Sequence, residues 1–146
     1  MAEHMINLSS LVSAQHAFME EYTQITKEIG EKFGLSFKET DLLSFYNSFP
    51  EYDTPAQAVK YRSYSKTYVS KTLDMLMAKG YIVMKQSEDD RRYQHVALTP
   101  KAAEIGNELK SRQHEFYRKV LNGISNDDIK KAQEIITRIN INLNCE

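Results

Sequence analysis

Two short groups of residues hold most of the chemistry legible in this chain. Ser65-Lys66-Thr67-Tyr68-Val69-Ser70-Lys71 interleaves hydroxyls, a phenol and two ammonium groups. Asp89-Asp90-Arg91-Arg92 places two carboxylates directly before two guanidiniums. Hydroxyl and ammonium groups are types that pair with base edges and phosphate oxygens. Arginines on a narrow tip suit the negative potential of a minor groove. An Asp two residues before an Arg can orient its fork through a charge-assisted hydrogen bond, and Asp90 and Arg92 have that spacing. Each group also has a plainer reading. An amphipathic helix always has a polar face, and a loop of acids and arginines can be soluble and self-neutralising.

Catalytic and cofactor chemistry finds no support. There is no G-x-x-x-x-G-K-[ST] loop and no G-x-G-x-x-G turn, so no phosphate cradle is expected. His4, His16, His95 and His114 have no metal-ligand spacing, which leaves open only a site assembled across a dimer. Ser10, Ser13, His16 and Glu20 lie near one another on a helix without forming a triad. The expectation is no enzyme, no cofactor and no metal.

Charge is unevenly spread. Residues 1–59 carry 3 basic and 9 acidic groups, residues 60–92 carry 8 and 4, and residues 93–146 carry 8 and 7. The middle segment is therefore a basic stripe of net +4, either a footprint for phosphate or a surface fluctuation. No apolar run approaches the ~18 residues needed to span a bilayer. The opening residues lack a basic patch followed by an apolar run, so no signal peptide is expected. The one cysteine, Cys145, excludes an internal disulfide and fits a reducing cytoplasm, the expected location. It reads as a terminal thiol, with redox sensing as the alternative.

The elements that must position these groups follow from periodicity and punctuation. Apolar residues at helical spacing from Leu8 to Phe33 predict a long first helix over 8–33, stopped by Gly34. Ser36-x-x-Glu39 is a capping box opening a helix with Leu42, Leu43, Phe45, Tyr46 and Phe49, which ends before Pro50. Thr54-Pro55-x-Gln57 opens a short third helix. Ser65 caps a fourth running to Lys79, with Val69, Leu73, Leu76 and Met77 inward and Thr67, Lys71 and Asp74 outward. Tyr81–Met84 and Gln94–Leu98 predict a hairpin with a polar tip from Lys85 to Tyr93. Thr99-Pro100 starts a fifth helix, with Ala102, Ile105, Leu109, Phe116 and Val120 in its stripe, and Gly123 ends it. Ser125 caps a sixth, with Ile129, Ala132, Ile135, Ile136, Ile139 and Leu143 on one side.

The predicted class is mainly α with a small β-hairpin, a winged helix-turn-helix. The second helix of that motif enters the major groove and the hairpin reaches flanking DNA. Residues 35–99 form the winged region, and residues 1–34 and 100–146 the flanking helices, in one structural domain. Those flanking helices hold more apolar surface than so small a winged region can cover. They point to a homodimer, with a monomeric fold-back as the alternative. A two-fold dimer sets two reading helices about 34 Å apart, one DNA turn.

Residues 65–99 resemble the multiple antibiotic resistance regulator (MarR) family of bacterial transcription factors. The matching pieces are Ser65-Lys66-x-x-Val69-Ser70-Lys71, Leu76 through Gly80-Tyr81-Ile82, and Asp90-x-Arg92 followed by Leu98-Thr99. The resemblance implies a homodimer on a pseudo-palindromic operator. It implies that Ser65, Lys66, Thr67, Tyr68, Ser70 and Lys71 face the groove, and that Arg92, braced by Asp90, enters the minor groove. Arg91 is placed beside it at the DNA. It further implies a repressor released by a small aromatic or anionic ligand. Arg62 and Ser63 stand where related sequences often have a leucine and a glycine. A looser turn and a phosphate contact by Arg62 are the expectations there. The competing function is a winged-helix protein-interaction module that does not bind DNA.

Overall fold

The computed structural model describes residues 6–144, so His4 and Cys145 lie outside the described residues. The element order is α1 (Leu8–Lys32), α2 (Phe37–Ser48), α3 (Pro55–Arg62), α4 (Lys66–Ala78), β1 (Ile82–Gln86), β2 (Gln94–Leu98), α5 (Ala102–Val120) and α6 (Asn126–Asn144). This is the predicted helix–hairpin–helix order. The chain forms two compact units, Met1–Lys110 and Ser111–Glu146, with the boundary inside α5.

In the first unit the caps behave as their residue types require. Ser36 and Glu39 close a reciprocal capping box on α2, and Thr54 and Gln57 close another on α3. Gly34 takes φ +69° and ends α1 in the left-handed conformation that a side chain would resist. Residues 39–46 of α2 are all buried. A helix covered on every side is a central strut rather than a surface element. Around it lie Ile29 of α1, Val69, Leu73 and Leu76 of α4, Ile82 and Val96 of the hairpin, and Ile105 and Leu109 of α5. Strands β1 and β2 pair antiparallel, from Ile82 opposite Leu98 to Gln86 opposite Gln94. The hairpin is tied at the middle of β2 to the segment between α2 and α3 by the Val96 amide, which donates to the Asp53 carbonyl at 2.6 Å.

The N-terminal half of α1 is uncovered, in keeping with flanking helices that hold more apolar surface than the winged region can cover, with Leu8, Val12 and Met19 at 70%, 55% and 41% exposure. The structure departs from the sequence reading within α4 and at the start of α5. Met77 is exposed and Thr72 takes its place in the core face of α4, donating its hydroxyl to the Tyr68 carbonyl at 2.7 Å. Helix α5 begins two residues beyond Pro100, because the Thr99 hydroxyl donates to the Gly80 carbonyl at 2.6 Å instead of capping. In the second unit, Ser125 caps α6 by accepting from the Asp128 amide at 3.2 Å. No residue of α6 is buried. Among the described residues, no helix is long and apolar enough to cross a membrane.

α1 meets α2 at Gly30. A Cβ there would collide with the Thr40 hydroxyl and lie 2.8 Å from the Leu35 carbonyl oxygen. Gly30→Ala is therefore expected to destabilise the protein by about 1–3 kcal/mol, the usual range for overpacking. Chemical denaturation checks this; an unchanged midpoint contradicts it.

Candidate nucleic-acid interface

α4 is built to show a polar face. Ser65 caps it, its side chain accepting from the Tyr68 amide at 3.0 Å. Val69, Thr72, Leu73 and Leu76 face the core. Ser65, Lys66, Thr67, Ser70 and Lys71 are all exposed, clustered in the first two turns. The backbone N–H groups and positive dipole end of a helix favour phosphate at this same terminus. Asp74 is exposed one turn further along. The turn into α4 is not loosened. Ser63 itself adopts the left-handed conformation, φ 55° and ψ 33°. Holding a serine there costs about 1–2 kcal/mol.

The wing tip brings the predicted pair together. Asp90 Oδ1 accepts from the Arg92 amide at 3.0 Å and from its Nε at 3.1 Å. Asp90 Oδ2 accepts from Arg92 Nη2 at 2.9 Å. The Arg92 fork is thus gripped by both carboxylate oxygens while its side chain stays 87% exposed. The hydrogen bonds from Arg92 hold the Asp90 carboxyl below the usual carboxylate range. Gln86 Nε2 donates to the Arg91 carbonyl at 2.8 Å, fixing the loop backbone beside the exposed Arg91.

Arg62 requires a correction. Its guanidinium turns inward, donating to Asp41 Oδ1 at 2.8 Å and to the Tyr22 hydroxyl at 3.0 Å, with Nε donating to the Tyr64 hydroxyl at 3.2 Å. The Asp41 side chain is 5% exposed. A buried carboxylate left unpaired is costly, and this one draws its partners from three directions. The Tyr22 hydroxyl donates to Oδ1 at 2.7 Å, the Tyr64 hydroxyl to Oδ2, and the Tyr68 hydroxyl to Oδ2 at 3.3 Å. The Tyr64 and Tyr68 rings stack with centroids 4.6 Å apart. Tyr68, predicted to face the groove, is therefore half-buried and spends its hydroxyl inside. Burial, with the Asp41 charge added, pushes the Tyr22 phenol up to about 12 and raises those of Tyr64 and Tyr68. Burial opposes the Arg62 charge, but Tyr22, Tyr64 and Asp41 outweigh it and raise its pKa.

A second buried acid holds the other end of α4. Lys79, the C-cap, reaches Glu39 at 2.9 Å to Oε1 and 3.0 Å to Oε2, and also donates to the Gly34 carbonyl at 3.0 Å. Burial would raise the Glu39 carboxyl. Hydrogen bonds from Lys79 and from the Ser36 amide overcome that and hold it below the usual range. The Asp41 and Glu39 nodes were missed in the sequence. The one available signal was two acids in a helix that also carries Leu42, Leu43, Phe45 and Tyr46.

Comparison with known proteins agrees with this architecture. Residues 33–92 match the model of the MarR family. The chain is similar to a MarR transcription regulator of Oenococcus oeni, at 14% identity and TM-score 0.73, covering 91% of this chain and 98% of that one. It is similar to a MarR family transcriptional regulator of Listeria monocytogenes complexed with 26mer DNA, at 14% identity and TM-score 0.76, covering 95% and 89%. It is also similar to S. aureus MepR in a DNA complex, at 16% identity and TM-score 0.73, covering 94% and 97%. The MarR family model thus matches the stretch from the end of α1 through the wing tip, and the chain as a whole shares the winged-helix fold of these regulators.

Glu39 is more acidic folded than unfolded, so the stability it lends is present above the unfolded carboxylate range and is lost as pH falls through its lower folded value. The stability gap between wild type and Glu39→Gln should be widest near neutrality and should close below about pH 4. Denaturation midpoints across that range measure it; a gap independent of pH contradicts the assignment.

Proposed function

We propose that this protein binds DNA sequence-specifically as a homodimer, with α4 in the major groove and the wing at the flanking minor groove. The observation that carries this is the exposed face of Ser65, Lys66, Thr67, Ser70 and Lys71, with the braced Arg92 tip on the following hairpin. The positions retained as DNA contacts are these five with Arg91 and Arg92; Asp90 is the brace, and Arg62 and Tyr68 act from within. That the similar Listeria monocytogenes and S. aureus proteins form complexes with DNA supports a DNA partner here.

Dimerisation rests on apolar surface left open. In α6, Ile135, Ile136, Ile139, Ile141 and Leu143 are 39–75% exposed, and Ile6, Leu8, Leu11 and Val12 at the start of the chain are 53–70% exposed. Contiguous patches of this kind mark association. The partner is a second copy, whose two-fold axis matches a pseudo-palindromic operator. A role in the cytoplasm fits the single cysteine and a DNA target.

The family resemblance extends the proposal to a repressor relieved by a small aromatic or anionic effector. A groove of about 460 Å³ between α3, α4 and the hairpin suits that chemistry. Val59, Val69, Leu73, Met77 and Met84 give it apolar walls, with Lys66 and Ser70 among its lining. An occupant there would press on the residues proposed to face DNA.

Arg92→Ala should weaken binding to a duplex selected from genomic fragments and reduce the salt slope by about one counterion. Lys71→Ala or Thr67→Ala should change which sequences are selected. Gel shifts over a salt series read both; unaltered binding in all three variants would remove these roles, and no retention of the wild type on random duplex at low salt would favour the protein-interaction alternative. Ile139→Asp should convert a dimer to a monomer by sedimentation, and an unchanged mass would contradict the placement of the interface.

A further inference from the structure

We infer that Asp41 is a positioning residue for DNA reading, acting through Tyr64 and Tyr68 on the leading end of α4. The inference rests on the DNA-binding proposal and adds a residue that never touches DNA. Three observations carry it. The side chain of Asp41 is 5% exposed, so its partners are fixed by the need to satisfy a buried charge. Those partners flank the cap: Arg62 and Tyr64 lie on either side of the left-handed Ser63, and Tyr68 lies in the first turn of α4. The remaining partner, Tyr22, belongs to α1, the helix whose exposed beginning is assigned to the dimer. One carboxylate therefore joins the helix proposed for pairing two subunits to the start of the helix proposed for reading bases. Ser65, Lys66 and Thr67 sit between residues that this carboxylate holds. Their reach toward base edges is set by where Tyr64 and Tyr68 are pinned. Phosphate contacts tolerate small displacements, whereas base-edge hydrogen bonds do not.

The test uses the full-length protein and a duplex that the wild type selects from a random pool. Asp41→Asn and Tyr64→Phe are compared with wild type for affinity to that duplex and to random DNA at fixed salt. A third variant, Ile105→Val, serves as a destabilised control, its site lying in the core of α5. The selected-over-random ratio should fall about tenfold in both node variants, comparable to losing one base contact. Affinity for random DNA should stay within about twofold, because the phosphate-facing charges are unchanged. The control should keep its ratio whatever its thermal midpoint. An unchanged ratio in folded Asp41→Asn or Tyr64→Phe overturns the inference, as does an equal fall in the control. If Asp41→Asn does not fold, Tyr64→Phe, which removes one hydroxyl and leaves no new charge, decides alone. A wild type with no preference over random DNA would sink the DNA-reading proposal itself, and this inference with it.

Discussion

The arrangement depends on burying two carboxylates in one helix. α2 is enclosed on all sides, and its acids Glu39 and Asp41 can stay charged only if cations and hydroxyls come to them. Asp41 recruits Arg62, Tyr22, Tyr64 and Tyr68, while Glu39 recruits Lys79 and the Ser36 amide. Two residues apart on a helix, the acids point to nearly opposite sides. One holds the leading end of α4 and the other its trailing end. The polar face of α4 stays outward because its two ends are held from within, and its apolar stripe closes the middle.

The same pairing changes the meaning of the charge pattern. The excess of acid in residues 1–59 and of base in residues 60–92 looks like a separation between an acidic body and a basic reading surface. Part of it is internal complementarity. Arg62 and Lys79 are matched to Asp41 and Glu39 across the first unit, and Arg92 is matched locally to Asp90. With Arg62 and Lys79 matched to buried acids, the exposed cations Lys60, Lys66, Lys71, Lys85, Arg91 and Arg92 form a smaller footprint than the segment total suggests. That suits the proposed mode of binding, in which selectivity comes from a few placed contacts and not from bulk attraction.

Local rules made most of the fold legible. Capping boxes at Ser36 and Thr54, the N-caps Ser65 and Ser125 and the glycine stop at Gly34 depend on residues within four positions, and the structure keeps each of them. The Asp90–Arg92 grip was legible for the same reason. What sequence spacing could not give were partners far apart in the chain. Arg62 looked like an exposed cation because its acid is 21 residues away and its phenolic partner on α1 is 40 away. Thr99 looked like a cap until the Gly80 carbonyl, 19 residues earlier, claimed its hydroxyl. Periodicity marked the start of α1 as apolar without saying which of its residues the first unit would leave exposed.

The most direct test of the account is chemical footprinting of the selected duplex with purified protein, probing guanine N7 in the major groove and adenine N3 in the minor groove. The account predicts two major-groove patches about one helical turn apart, each flanked outward by a minor-groove patch. A single patch, or protection spread evenly along the duplex, would contradict the placement of two α4 helices and two arginine tips on one operator.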